Sequence, residues 1–307
     1  MLPAHSIVVS VLALLSGDAF SLHSDRCVAP EPAPSFQRAS FSPSDCSMDQ
    51  TVPGPLWQPT TLRRIPVVVH VISDAACVNG NVTDALVHSQ LTVLNEDFRA
   101  VAGSPGGAGV DSKIEFFLAT VDPSGNPTTG IRRYCNTTWY QDQGSYWLTI
   151  AWDTTRYLNL YTNSAAGSRG YVPFLPADPA GAVGQPQDRV VINWQAFGRV
   201  GPVVPYHKGR TVTHEVGHYL GLFHTYYSGC GTATAPACYT TGDRICDTPP
   251  NATSHKGCTA STSCGGVPVP IQNYMELTDD ACMTGFSAEQ VQRMRCTLAS
   301  FRSTLAQ

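Results

Sequence analysis

Charge is scarce in this 307-residue sequence: Asp, Glu, Lys and Arg make up 14% of it, well below the quarter usual for soluble domains. A chain so poor in charge is not one of the highly charged disordered class. A basic excess is also missing. Nineteen Lys and Arg against 23 Asp and Glu leave a net charge of −4. This excludes the basic surface that nucleic acid demands and the polybasic patch that holds a chain to anionic membrane. No internal repeat is visible, and no apolar run is long enough to span a bilayer as a helix. We therefore expect no nucleic-acid partner and no stable membrane association.

Turn formers and cysteines are plentiful. With 26 Gly and 23 Pro, many turns and long ordered loops are expected. Eleven cysteines are many for a reduced compartment and fit an oxidising one. The count is odd, so at least one thiol is left over within the chain. The apolar run Ile7–Leu15 is followed by Gly17 and Ala19, spaced as at a signal-peptidase site. Residues 1–19 are thus expected to be a signal peptide, although no Lys or Arg precedes the run; the bland alternative is a buried N-terminal strand. Three sequons, at Asn81, Asn136 and Asn251, agree with a secreted, extracellular glycoprotein.

Residues 20–63 read as a leader segment. Seven prolines between Pro30 and Pro59 accompany no apolar period. The texture changes at Arg64, where the main domain, 64–307, is taken to begin. Ile65–Ile72 is an apolar, β-branched run and predicts a buried strand. A helix is expected to open at Thr83, with Leu86, Val87, Leu91, Leu94 and Phe98 near a 3.6 period. Lys113–Thr120, Tyr157–Thr162 and Val190–Trp194 predict further strands. Another helix is expected over Gly209–Leu220, and a last one from Ser287, where Ser287 and Gln290 fit a capping box. Residues 225–285 are loop-rich and hold six cysteines. The order predicts an α+β chain: a mixed sheet with helices, followed by an irregular, disulfide-tied half.

The strongest pattern is HEVGHYLGLFH, residues 214–224. On a helix, His214 and His218 are one turn apart on the same face, where two imidazoles can share one Zn²⁺. Gly221 permits the positive φ that ends a helix and turns the chain back, so that His224 supplies a third ligand. Three histidines leave one position open, the mark of a catalytic zinc rather than a structural one. Glu215 stands beside them as the general base for a zinc-bound water that attacks a carbonyl. The bland alternative is an amphipathic core helix with incidental histidines, which this many matched positions make improbable.

This run resembles the long zinc motif of metzincin metalloproteases, with Asn273-Tyr274-Met275 as the Met-turn. The stretches around Ile65–Val71, Gly209–Thr213, Asp247-Thr248-Pro249 and Thr278–Met283 are similar to the pappalysin family. The resemblance covers about 64–295. It implies a secreted zinc endopeptidase acting on protein or peptide substrates, with a twisted mixed sheet and helices above the cleft. Met275 would pack beneath the histidines. Asp280 would line the pocket for the residue after the scissile bond and favour Arg or Lys. Asp243, Asp247 and Thr248, with the Ile245 carbonyl, would bind Ca²⁺; the bland alternatives are a solvated acidic turn at Asp280 and a capped turn at Asp243. The chain departs from the family at Leu277, two residues after the Met, where a Tyr commonly assists the oxyanion.

The resemblance also implies disulfides Cys230–Cys264 and Cys258–Cys282. Cys238 with Cys246, and more weakly Cys77 with Cys135, are further pairings. Asp25-Arg26-Cys27 is similar to the cysteine-switch motif of related zymogens, in which a thiolate takes the open zinc position; Cys27–Cys46 as a leader disulfide is the alternative. Arg63-Arg64 is a candidate activation site. Two other functions remain open at this level: a binding module on a catalytically weak scaffold, and a hydrolase of non-peptide esters or amides.

Overall fold

The computed structural model describes residues 26–27, 55–176 and 183–307. The expected signal peptide, Asp25, Cys46 and most of the leader lie outside these residues.

The chain forms, in order, β1 (Arg63–Ser73), α1 (Asp84–Phe98), β2 (Ile114–Leu118), β3 (Ile131–Cys135), α2 (Thr137–Tyr140), α3 (Trp147–Ile150), β4 (Leu158–Asn163), β5 (Gly170–Tyr171), β6 (Val190–Asn193), α4 (Arg210–Tyr219), β7 (Thr262–Ser263), β8 (Val267–Pro268) and α5 (Ala288–Ser300). β1 is central because its apolar, β-branched run is buried continuously from Ile65 to Ser73, as a strand covered on both faces must be. It pairs in parallel with β2 and then β3 along one edge and with β4 along the other. β4 continues in parallel to β6, and β6 pairs antiparallel with the short edge strand β5.

Thr83 caps α1 by accepting from the Leu86 amide. Val87, Leu91, Leu94 and Phe98 then enter one core with β1, β2 and β6 and with Val212, Val216 and Tyr219 of α4. Ser287 and Gln290 form the reciprocal capping box at the start of α5. The stretch between α4 and α5 holds the β7–β8 hairpin and a single 3-10 turn at Ala237–Tyr239 and is tied by Cys230–Cys264, Cys238–Cys246 and Cys258–Cys282. Cys77–Cys135 joins the loop after β1 to the end of β3, and Cys296 is also disulfide-bonded.

The α+β architecture is the expected one, but some local readings need correction. β3 and β5 were not anticipated: β3 carries Arg132 and Arg133 facing solvent, and β5 is only two residues long. Trp194 leaves its strand for a tight turn, which Asn193 caps by accepting from the Gln195 amide. Arg63 and Arg64 lie inside β1. Arg63 donates its amide to Lys113, and Arg64 exchanges backbone hydrogen bonds with Gln307. A protease takes its substrate as an unpaired extended strand, so cutting between Arg63 and Arg64 would first require this end of the sheet to open.

Candidate metal centre

α4 is buried along its whole length and carries the first two histidines. Gly221, at φ +93°, ends the helix and returns the chain toward His224. Gly217 matters for a reason that spacing alone did not reveal: a methyl group on it would lie 2.5 Å from the Met275 sulfur. Met275 is fully buried and therefore packs directly against the helix that carries the ligands.

His214 Nδ1 donates to the Tyr274 carbonyl at 2.6 Å, and His218 Nδ1 donates to the Leu222 carbonyl at 2.8 Å. Each bond fixes the tautomer and leaves Nε2 as a bare lone pair. Yet the His218 Nε2 is 3.1 Å from the Nε2 of His214 and 3.1 Å from that of His224. Lone pairs so close repel unless they share a cation, and the spacing suits nitrogens bound at about 2.0–2.1 Å to one ion. Burial holds the His214 and His224 imidazoles neutral, with His224 lowered to about 3 and His214 well below its ordinary value. The donor set therefore fits a borderline-soft divalent metal such as zinc. Among the described residues, His214, His218, His224 and the Cys27 sulfur form the metal-competent cluster.

Glu215 is fully buried beside this cluster, and burial pushes its carboxyl up to about 8 against the pull of Cys27 and Arg26. Its Oε1 has no hydrogen-bond partner, an arrangement rare for a buried carboxylate without a task. Its Oε2 accepts from the Cys27 thiol at 3.5 Å. Gly170 of β5 faces the same carboxylate; a methyl group there would meet the Glu215 Cγ at 2.8 Å.

Cys27 keeps its thiol, which excludes the leader disulfide to Cys46. It forms a parallel bridge to Gly170, so Cys27 lies beside β5 at the edge of the sheet and next to the imidazoles. The preceding residue, Arg26, has no exposure at all. Its Nη2 donates to Asp280 Oδ1 at 2.5 Å, its Nη1 to the Met283 sulfur at 3.2 Å, and its guanidinium lies 4.7 Å from the Tyr206 ring. Asp280 is 2% exposed, and its other oxygen accepts from the Lys208 and Arg210 amides. The solvated acidic turn is therefore not what the structure contains: Asp280 is buried and ion-paired with an arginine.

Several residues around the ligands had no clear sequence signal. Asp97 of α1 is buried and accepts from Thr213 at 2.6 Å and Tyr274 at 2.8 Å, with Arg210 at 3.2 Å. Glu276, also buried, accepts from Thr225, Asn251, the His255 amide and the Leu277 amide. It thereby locks the turn carrying Met275 to the residue after His224. Both were detectable only as charges set within apolar or motif surroundings. Leu277 is buried at 6% exposure and offers no side-chain donor.

The other candidates separate. The Thr248 hydroxyl lies 2.7 and 2.9 Å from the two Asp243 oxygens, to which it donates its one proton, and 3.2 Å from the Ile245 carbonyl, so three of the expected calcium oxygens converge. Asp247 does not join them, because its carboxylate accepts from Ser287 and the Glu289 amide and so caps α5. Asn81 is exposed, and Asn136 is half-buried as the cap of α2. Asn251 is 1% exposed and its Nδ2 donates to Glu276, so a glycan there would displace a buried hydrogen bond. Asn251 is corrected on that ground.

Residues 143–299 match the family described as pregnancy-associated plasma protein-A. The chain is 31% identical over 301 residues to an extracellular metalloprotease of Pyricularia oryzae, covering 95% of each. It is 32% identical over 246 residues to another from Colletotrichum graminicola, covering 78% of this chain and 77% of that one. Among solved structures, mirolysin in complex with a small compound superposes with a TM-score of 0.67 at 36% identity, covering 80% of this chain and 96% of that one. A point mutant of Tannerella forsythia promirolysin gives 0.66 at 34% identity, covering 81% and 87%. With the imidazole cluster and the α+β fold, these matches place the chain in the pappalysin family of metzincin metalloendopeptidases.

Proposed function

We propose that this chain is a secreted zinc endopeptidase, made as a zymogen, that cuts extracellular proteins before Arg or Lys. The observation that carries the reading is Arg26 seated on Asp280 while the next residue, Cys27, sits among the three histidines. Residues 1–19 are then the signal peptide and 20–63 the pro-segment. Secretion is supported by the names of the extracellular relatives. Asn81 and Asn136 are the proposed glycan sites.

His214, His218 and His224 would hold the zinc, which supplies a Lewis acid and acidifies water at neutral pH. Glu215 takes a proton from the attacking water and returns it to the leaving amine. Its unpartnered Oε1 is the oxygen poised for this. Asp280 binds the guanidinium or ammonium of the residue after the cut, with Tyr206 stacking on it. Leu277 gives the oxyanion one donor fewer than the common family pattern, a loss on the order of 10²–10³ in rate where such a donor acts. Asp243, Ile245 and Thr248 are the proposed calcium oxygens. A calcium-dependent rise in Tm, abolished by Asp243→Asn, is the expected result, and an unchanged Tm would sink the calcium site.

In the latent chain, Cys27 fills the position that water needs and Arg26 occupies the specificity pocket. The test compares full-length chain with the Arg26→Ala/Cys27→Ala double variant on a quenched peptide carrying one internal Arg. The wild type should start inactive and gain activity only as the leader is removed, whereas the variant should cut at once. Equal initial rates would sink the latency reading.

A further inference from the structure

We infer that Arg169 forms a second specificity pocket, which selects an acidic side chain two residues after the scissile bond. The inference rests on the Asp280 reading, because that reading sets the direction of the substrate.

The direction follows from the leader. Along the chain, Arg26 comes first and lies in the Asp280 pocket; Cys27 follows and lies at the histidines. A substrate must run the other way. Its scissile carbonyl lies at the histidines, and the next residue enters the Asp280 pocket. The leader is parallel to β5 at Gly170, so the substrate is antiparallel to it. Its second residue after the cut therefore lies toward the N-terminal side of Gly170, which is where Arg169 stands.

A cavity of about 230 Å³ opens at that place, lined by Arg169, Ser164, Asn193, Trp194 and Gln195 together with Tyr140. It adjoins the first pocket: the Arg169 guanidinium lies 5.8 Å from the same Tyr206 ring that Arg26 stacks on at 4.7 Å. Arg169 has no carboxylate partner among the described residues, and its buried Nε lacks any hydrogen-bond partner. Two of the neighbouring donors are already used. Asn193 Nδ2 donates to the Ser164 and Ser168 carbonyls, and Trp194 Nε1 donates to the Tyr140 hydroxyl. The cavity thus presents a cation with an unused Nε donor and no counter-charge among the described residues, held immediately before β5, along which the substrate is laid. An Asp or Glu carboxylate of the substrate supplies both, as an ion pair with charge-assisted hydrogen bonds. A Lys or Arg at that position meets like-charge repulsion.

The test digests a proteome-derived peptide library with the Arg26→Ala/Cys27→Ala chain, with and without Arg169→Glu. Cuts are read by mass spectrometry at the two positions after the bond. We expect basic residues at the first position in both, with Asp and Glu enriched about fivefold at the second and that enrichment replaced by Lys and Arg in the Arg169→Glu chain. Arg169 makes no internal hydrogen bond with its Nε, so the variant should keep its zinc content and Tm; Arg169→Gln should do the same and show a flat second position. Basic residues at the first position with a second position that ignores Arg169 would overturn this inference alone. A first position without basic preference would overturn the Asp280 reading and this inference together. As a binding check, the Glu215→Ala form of the same chain should bind an Arg-Asp peptide about fivefold tighter than an Arg-Lys peptide, and equal affinities would overturn the inference.

Discussion

At Gly217 a single methyl group decides whether the Met-turn can close beneath the ligands. The Met275 sulfur occupies the space that a side chain at 217 would need, and this thioether would have to shift within a fully buried core. Gly217→Ala is expected to cost about 1–3 kcal/mol and to weaken zinc binding, read as a lower Tm and a higher zinc Kd. An unchanged zinc Kd would show that the turn does not position the ligands. Asp280 is the other residue whose change has a defined outcome. Removing one partner of a buried, hydrogen-bonded charge pair costs about 2 kcal/mol or more, so Asp280→Asn should lower kcat/KM for an Arg substrate at least about thirtyfold. A smaller loss would show that arginine is chosen elsewhere. His214, Glu215, His218 and His224 were legible because a helix and one turn bring them together within eleven residues. Arg26 and Asp280 are 254 positions apart, and Tyr274 and Asp97 are 177 apart; no local period records such pairs.

At the scale of elements, β1 and α1 each carry a buried polar group that fixes their place. His70 on β1 stacks 4.4 Å from the Tyr161 ring, and its Nε2 meets Asn159 Oδ1 at 2.9 Å. That oxygen also accepts from the Trp152 amide, so His70 is the donor and stays neutral. Burial lowers its pKa to about 4. The unfolded chain binds this proton near pH 6.5, so the neutral ring's contribution is complete above that pH. It is lost as pH falls from about 6.5 to about 4, a change of about 3 kcal/mol. The urea midpoint should fall with pH over this window, and His70→Gln should flatten that slope; an equal slope would place the titrating group elsewhere. On α1, Asp97 neutralises buried Arg210 and holds Tyr274, whose carbonyl orients His214. Asp97→Ala is expected to destabilise by about 3–5 kcal/mol, measured by denaturant unfolding, and a loss below 1 kcal/mol would contradict that role. Strands buried on both faces and capped helices were readable from the sequence. β3 and β5 were not, because their place is set by pairing with β1 and β6 rather than by their own composition.

On the scale of the whole molecule, a mixed, mostly parallel sheet with α1 and α4 forms the upper half. The lower half has little regular structure and depends on its disulfides. The metal should join the two halves, since its three ligands span α4 and the turn that follows, and His214 is tied to the Met-turn. Chelation should therefore lower Tm, and readded zinc should restore it, by the linkage that any native-state ligand obeys. Arg26 and Cys27 are part of this assembly, both buried against the site. The measurement that bears most directly on the account is a peptide-library digest by the Arg26→Ala/Cys27→Ala chain beside the same chain carrying Glu215→Ala. The account predicts cuts before Arg and Lys in the first and none in the second, with one zinc bound per chain in both. Cuts that survive the loss of Glu215, or a zinc-loaded chain that cuts nothing, would contradict it.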